Sequence, residues 1–509
     1  MTFDAAGNHD LLTNWQTWAK LDEVVWADEY ADIAERAQAL ACNDSFVAAL
    51  VQAHLLGTIG PVGLRSTSLY DDQRDEAATS DEARRLRRAI TAVTDRTWVG
   101  RDLDAEKVRT RLDLEVALAW SAFVKGEGFA IRVQRGKRSA WRLVDPRRIK
   151  NPKNDKGEQR PNDDRLRDGF ALDVEGAVMG VWVMRMKQGR WGAEDDRPVF
   201  VPWYAPDGTP NIVHRVGYRL PGMMRGVSRL APMVIMARQL AGVLESHVAA
   251  KRLQAVHAMI IEAQSPEEYK KAMANGSALG SDKWDVRGPL NVWIRPSGGG
   301  EVQFTDPKFN GQDLEAYLKI TYKVQCASVQ VPVDVVLCQM GEASLSSARA
   351  GLDQFDRTCQ AEQERHIAEA TAPIDRAAIA DADVAGDLLL PDDVVVDDAL
   401  AAKYARPPKY STDRLKDAET IAALRQAGVS GTTAFAMFGL VYEDERELCA
   451  IEAEFDKAQG TSSEPGQPAT PATAPAQTAA PAPEDQVAAK KAGWWRRAIA
   501  RVKGIRIAA

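Results

Sequence analysis

Cysteine, histidine and long apolar runs are all scarce in this chain of 509 residues, and each scarcity removes a class of protein. The five cysteines (Cys42, Cys326, Cys338, Cys359, Cys449) are scattered, with no CxxC pair and no metal-ligand spacing. That pattern points to free thiols in a reducing compartment rather than a disulfide scaffold. The six histidines (His9, His54, His214, His247, His257, His366) lie far apart. No HExxH, no GxSxG elbow and no Cys–His pairing occurs, so no metal, cofactor or catalytic residue is expected. No GxxxxGK[ST] is present: the nearest fragment, Arg135-Gly136-Lys137-Arg138-Ser139, lacks the upstream glycine, which excludes a P-loop motor. The most apolar long segment, 230–253, is broken by Arg238, Glu245, Lys251 and Arg252. The N-terminus has no basic cluster followed by an apolar core. Neither a membrane span nor a secretory signal is expected.

What is present reads as globular protein: 45% apolar, 27% charged and 7% aromatic residues, in a length that suggests about three folded units. The net charge of −7, from 65 basic and 72 acidic residues, disfavours a chain that coats itself in nucleic acid.

The first 60 residues are predicted helical. Trp15, Trp18 and Trp26 share one side of a helical wheel, and a second pattern breaks at Asn43-Asp44 and stops at Gly57. A helix is predicted over 104–125 with Gly126 as its stop. Strand-like runs at period two follow: GFAIRVQR, SAWRLVDP, GFALDVEGAVMGVWVMRM and RPVFVPWY. The fold class is therefore α+β. A rod over 228–258, capped by Ser228, carries Leu230, Val234, Ala237, Ala241, Leu244 and Val248 at helical spacing, and would be about 46 Å long. A small α/β insertion follows, with a capping box at Ser265–Glu268. Its hairpin joins LNVWIRP to EVQFTD across SGGG. A second rod starts near Asn310, with Tyr317, Ile320, Val324 and Ala327 as its apolar face. A third helix begins with Leu345, Ala348, Leu352, Phe355 and Cys359, and Pro373 should kink or end it. Residues 411–458 read as three short helices cut by Gly428 and Gly439. The stretch 461–483 is a proline-rich linker.

Three features invite chemistry. Glu268-Tyr269-Lys270 fits half of a Mg²⁺-dependent nuclease motif; it falls in the first turn of a capped helix, where acids are favoured anyway. Residues 381–400 hold seven aspartates and no basic residue; their spacing fits no EF-hand loop, and a solvated acidic rim is the expectation over a cation site. The tail, with Lys490, Lys491, Arg496, Arg497, Arg501, Lys503 and Arg506 around Trp494-Trp495, is open to three readings: nucleic-acid arm, membrane-surface helix or docking peptide.

Several segments together resemble the portal proteins of tailed bacteriophages, specifically the lambda-like portal family. They are ERAQALACNDSFVAALVQAHLLGTIGPVGLRS, SAFVKGEGFAIRV, SAWRLVDPRRIKNP and DGFALDVEGAVMGVWV. IVHRVGYRLPGMMRGVSRLAPMV (212–234), similar to that family's H…RPGQxRGxPxLAP motif, is the most specific of them. QVPVDVVL, SLSSARAG and RPPKYSTDRLKDAE complete the set, over roughly residues 10–455. Leu220 departs from the arginine before Pro-Gly, and Met223-Met224 from the glutamine step.

The resemblance implies a dodecameric ring at one capsid vertex of the virion, assembled in the host cytoplasm, and a structural role rather than an enzymatic one. It implies a wing over 1–225, a stem helix over 226–258, a clip over 259–309 and a second stem helix over 310–330. A channel loop over 331–345, a long wing helix and return over 346–400 and a helical crown over 401–458 follow, then the linker (459–483) and the basic tail (484–509). Implied partners are other copies of the chain, the major capsid protein and scaffold, the terminase large subunit, a head–tail adaptor and the double-stranded DNA in transit, with no membrane. On this scheme Leu230 to Val248 pack the stem. Glu267, Glu268, Lys270, Lys271 and Trp293 are the clip's partner contacts. Val331, Pro332, Val333, Asp334, Gln339, Met340, Gly341 and Glu342 line the DNA channel. A contrasting reading is a Mg²⁺-dependent DNA-processing enzyme using Glu268 and Lys270; a third is another head–tail connector.

Overall fold

The computed structural model describes residues 22–68, 81–153, 160–185, 198–219, 221–255, 259–263, 267, 292–296, 311–338, 345–390, 402–407, 414–436, 445–446, 448–450 and 452–453. One unit spans Met1–Glu445. A second, Arg446–Ala509, contributes only short helical pieces at 446, 448–450 and 452–453. The basic tail, the proline-rich linker, Trp15 and Trp18 lie outside the described residues.

Helix α1 (Asp22–Asn43) and helix α2 (Ser45–Thr58) break at Asp44, whose carboxylate accepts from the amides of Phe46 and Val47. Those are two of the donors a helix start leaves without an internal partner. α2 buries Phe46, Val47, Leu50, Val51 and Leu55 at the centre of the largest core, so Leu50→Ala would cost about 2–5 kcal/mol. Gly57 lies inside α2 rather than ending it; a methyl there would come 2.6 Å from Cys359 Sγ, so the glycine lets the two helices close up. Among the described residues no single helix is long and apolar enough to cross a membrane.

Helix α3 (Asp81–Trp98) has no counterpart in the sequence reading; Leu86, Ile90 and Val93 were its available signal inside an arginine-rich stretch. Helix α4 (Arg111–Lys125) starts later than residue 104. Asp104 takes the amides of Glu106, Val108 and Arg109 into a loop, and Thr110 with Asp113 then forms the capping box. Gly126 ends α4 in the left-handed region, φ 98°.

Strands β2 (Glu127–Arg135), β3 (Arg138–Val144) and β8 (Ile212–Val216) form an antiparallel sheet in the order β3-β2-β8, with Phe129 opposite both Val144 and His214. β4 (Leu166–Arg167), β5 (Phe170–Leu172), β6 (Val178–Val183) and β7 (Val199–Pro202) make a second antiparallel sheet in sequence order. The two share a core of Phe129, Phe170, Val181 and Ile212. On the other face of the first sheet Trp141, Ala130 and Val213 meet Leu118 of α4. The predicted strands thus form, and all five residues of β8, taken in the sequence only as motif, are buried. A short pairing missed by sequence joins β1 (Ser66–Ser68) to β11 (Ala402–Tyr404).

Helix α5 (Val234–Ala255) is preceded by a 3₁₀ turn, Ala231–Met233; at 22 residues it is about 33 Å long, shorter than expected. Ser228 caps neither the turn nor the helix: its Oγ accepts from Leu230 N, and Leu230, with no side-chain cap, is the residue that opens the turn. Strands β9 (Met259–Ala263) and β10 (Val292–Pro296) pair in parallel, so each is joined to a partner far along the chain; the expected second hairpin strand lies outside the described residues. Helix α6 (Gly311–Val329) is followed by a single helical turn, α7 (Val333–Leu337). Helix α8 (Leu345–His366) runs through a π-helical turn, Ile367–Thr371, into helix α9 (Ala372–Ala385). Pro373 therefore does not stop the rod. The wider turn before it absorbs the missing amide. Helices α10 (Arg414–Gln426) and α11 (Gly431–Ala436) come after β11, with Gly428 between them at φ 90°.

Candidate functional site

The 212–234 segment folds into a buried polar knot. β8 delivers His214, whose Nε2 is 2.9 Å from Glu127 Oε2 at the start of β2. The chain turns at 217–227 and returns Arg225, whose Nε lies 2.5 Å from Glu127 Oε1. Arg225 also donates to the carbonyls of Pro146 (2.7 Å), Ile149 (2.9 Å) and Asp168 (3.2 Å), and lies over the Tyr30 ring at 4.3 Å. One side chain so joins α1, β2, the 146–149 turn and the loop before β5. Burial alone would raise the Glu127 pKa, but the Arg225 guanidinium and the His214 hydrogen bond outweigh it and hold the carboxyl below its ordinary value. Arg225 is buried too, and Glu127 keeps it charged.

Glycines make the close approach. Gly217 N donates to Gly126 O at 2.8 Å, and a methyl on Gly226 would come 2.0 Å from that same oxygen. Ser228 Oγ then donates to Val124 O at 2.6 Å, and Arg229 N to Phe123 O. Of the two departures in the motif, Met223 is buried beside Tyr30, while Leu220 lies outside the described residues.

A second network pins β8 to the long helix. Arg215 bridges Glu362 (2.7 Å) and Glu369 (3.0 Å), Glu362 also takes Arg229 and Arg365, and the amide of Val216 donates to Glu369. Glu369 sits in the π turn, so the irregular turn lies against the sheet edge. Neither network was legible in sequence, because their key ion pairs join residues 87 to 154 positions apart.

Glu127, His214 and Arg225 are buried and committed to one another, which suits mechanical anchoring. No group of three His, Cys, Asp or Glu side chains able to hold a metal exists among the described residues. At the start of the acidic run Asp381 is buried against Arg132 (2.6 Å) and Ser139 N (2.6 Å), whereas Asp383 and Asp387 are exposed, as a solvated rim would have them, Asp387 pairing with Arg138. Residues 391–400 lie outside the described residues, as do Glu268 and Lys270 of the nuclease-like trio.

Of the stem residues, Leu230 and Ala237 are buried, Val234, Ala241 and Leu244 are half-buried, and Val248 is 47% exposed. The stripe is covered at its start and bare further along. α6 differs from expectation. Thr321, Gln325, Cys326 and Val329 face the core, whereas Tyr317, Ile320 (64% exposed) and Val324 stand out from the chain. The sequence stripe is apolar, but within one subunit nothing described covers it.

Val331 and Val336 belong to the α2-centred core. Val331 is 1% exposed and is thereby removed from any channel lining. Pro332 and the half-buried Val333 and Asp334 open α7, which Cys338 closes at φ 54°. Gln339, Met340, Gly341 and Glu342 lie outside the described residues. Of the residues expected to contact partners, Glu267 is exposed, Trp293 pairs with Ile260 across β10–β9, and Lys270 and Lys271 are outside the described residues.

The phage portal protein lambda family matches this chain over residues 10–363. Among solved structures the chain is similar to one from the virion of a native gene transfer agent particle, at 12% identity and TM-score 0.38, covering 83% of this chain and 95% of that chain. It is also similar to a chain of the neck of the empty particle computed with C6 symmetry (13%, 0.38, 83% and 95%). A chain of the native neck computed with C12 symmetry follows (12%, 0.32, 76% and 99%). No curated protein matches.

Proposed function

Because the chain belongs to the lambda family of phage portal proteins, we propose that twelve copies close into a ring at one vertex of the capsid and act as the conduit for genome packaging and ejection. The family match across most of the chain carries this reading. The apolar faces left bare on α5 and α6 support it, since side-by-side rods in a ring would cover them. In the ring, residues 259–309 form the clip and dock the terminase large subunit and a head–tail adaptor, while the wing meets the major capsid protein. The channel is lined by Asp334 and the segment that follows it through Gln339, Met340, Gly341 and Glu342. Twelve copies would carry a net charge of about −84, and a bore poor in positive charge lets DNA slide without sticking. The protein supplies a passage and a gasket; force comes from a separate ATP-driven motor. Its place is the virion, reached from the host cytoplasm.

Native mass measurement with negative-stain imaging tests the reading. Twelve 55.7 kDa chains come to about 668 kDa, and ring formation is the expected result. A monomer with Mg²⁺-dependent DNA cutting that is lost on Glu268→Gln would replace this reading with the enzymatic one.

A further inference from the structure

Where α4 meets the π turn of the long helix, a second set of charges is buried without balancing. Arg111 is fully buried, its Nε 3.0 Å from Glu115 Oε1 and its Nη1 2.6 Å from Asp375 Oδ1 on α9. The guanidinium lies 4.4 Å over the Trp98 ring and donates to Thr97 Oγ1. Two carboxyl groups thus share one cation in a place closed to water, and that leaves one charge too many. The surplus has an address. Glu115 Oε2 lacks a well-formed hydrogen bond, the Thr371 hydroxyl being the one other group that reaches the carboxyl, and 3.8 Å away His366 Nε2, equally buried, also has no hydrogen-bond partner. At 3.8 Å the two atoms face each other without a direct hydrogen bond.

We propose that Glu115 is protonated in the folded chain below neutral pH, Oε1 accepting from Arg111 while Oε2–H faces His366, and that this proton locks α4 to the π turn. Release of the proton under alkaline conditions leaves a second anion beside a single guanidinium and loosens the joint.

The surroundings agree. Burial pushes the Glu115 carboxyl up to about 7, with Asp375 adding to the rise and Arg111 and Thr371 opposing it. Burial, helped by Arg215 of β8 and by Arg111, holds His366 neutral. The remaining titratable groups facing the cluster are Asp95 of α3, raised chiefly by burial, Arg65 ahead of β1, and Tyr404 of β11, raised chiefly by burial. α1 turns buried Ala34, Ala37 and Ala41 to the core, α2 contributes His54, and β2 has Glu127 already held by Arg225.

Glu115→Gln copies the protonated state: its carbonyl can accept from Arg111 and its amide can face His366. In thermal unfolding of the full chain from pH 4 to 8, wild type should match Glu115→Gln at the acid end, where the unfolded chain also keeps the carboxyl protonated, and the gap should open as pH rises to about 7. Wild type should fall about 3–6 °C below the variant at the alkaline end. Asp375→Asn removes the second charge and should flatten the slope in the same way. If either variant fails to fold, the wild type decides alone: the infrared absorption of a buried protonated carboxyl should be present at pH 6 and bleached at pH 9. A gap between wild type and Glu115→Gln that is the same at every pH, or a wild type without that absorption, overturns the proposal.

Discussion

The carboxylate of Glu127 and the guanidinium of Arg225, 98 residues apart in the chain, meet at 2.5 Å inside the sheet-bearing body, and neither reaches solvent. Arg225 spends its other donors on three backbone carbonyls, so the ion pair is a rivet between segments rather than a reactive site. Planar, five-donor geometry makes this possible, and no other cationic side chain offers it.

Arg225→Ala leaves the buried Glu127 carboxylate without a cation, facing His214, the Gly226 amide and Tyr30, and should destabilise the chain by about 3–5 kcal/mol. Arg225→Lys should lose most of that, because an ammonium cannot span Glu127 and the carbonyls of Pro146 and Ile149 together. Urea unfolding checks both; variants that unfold at the wild-type urea concentration would show that the rivet holds nothing.

His54 is buried in α2, stacked on Phe123 at 4.1 Å, and burial lowers its pKa to about 4 from the ordinary 6.5. Its neutral form is the folded form. The stability this group confers is complete above pH 6.5, where the unfolded chain also leaves it neutral, and is lost as pH falls toward 4. Going from pH 7.5 to pH 5 should cost wild type about 2 kcal/mol relative to His54→Leu. Parallel stability curves for the two proteins would rule this out.

Ile320 and Val324 stand on the bare face of α6 and contribute nothing to the core of one subunit. Ile320→Glu should therefore leave thermal stability of the single chain within about 0.5 kcal/mol while preventing ring assembly by placing twelve charges in a closed interface. Native mass measurement distinguishes a dissociated, folded chain from a ring. Rings of unchanged size would place this face outside the interface.

Asp334→Lys combined with Gln339→Lys adds two lysines per subunit to the segment after α6. In the proposed ring those charges would surround the bore, so rings should form normally while packaging slows in a salt-sensitive way. A double mutant that packages a full genome at the wild-type rate would mean the segment does not face the DNA.

Local chemistry was legible in the sequence wherever it is decided by residues a turn apart. Asp44 as a break, Gly126 as a stop, the alternation in β2 and β3, and the helical period of α5, α6 and α8 all follow from backbone capping and side-chain spacing. So did the family, from short segments whose glycines and arginines stand at fixed offsets. What stayed hidden needed two distant pieces of chain. Burial direction on α6 was one such point. Its most apolar stripe faces out and a mixed stripe of Thr321, Gln325 and Cys326 faces in, because the side of a helix that is covered is set by what the rest of the fold packs against it. Val331 was another, an apolar loop residue by pattern and a core residue by its contact with α2. Pro373 was a third: proline forbids the regular helical bond, yet the π turn widens the helix before it and Glu369 ties that turn to β8. Composition and period determined which segments are helices and strands. Only tertiary packing decided which charges could be buried, because a buried carboxylate is tolerated only beside an arginine or a proton, and which of those comes near is set by the fold.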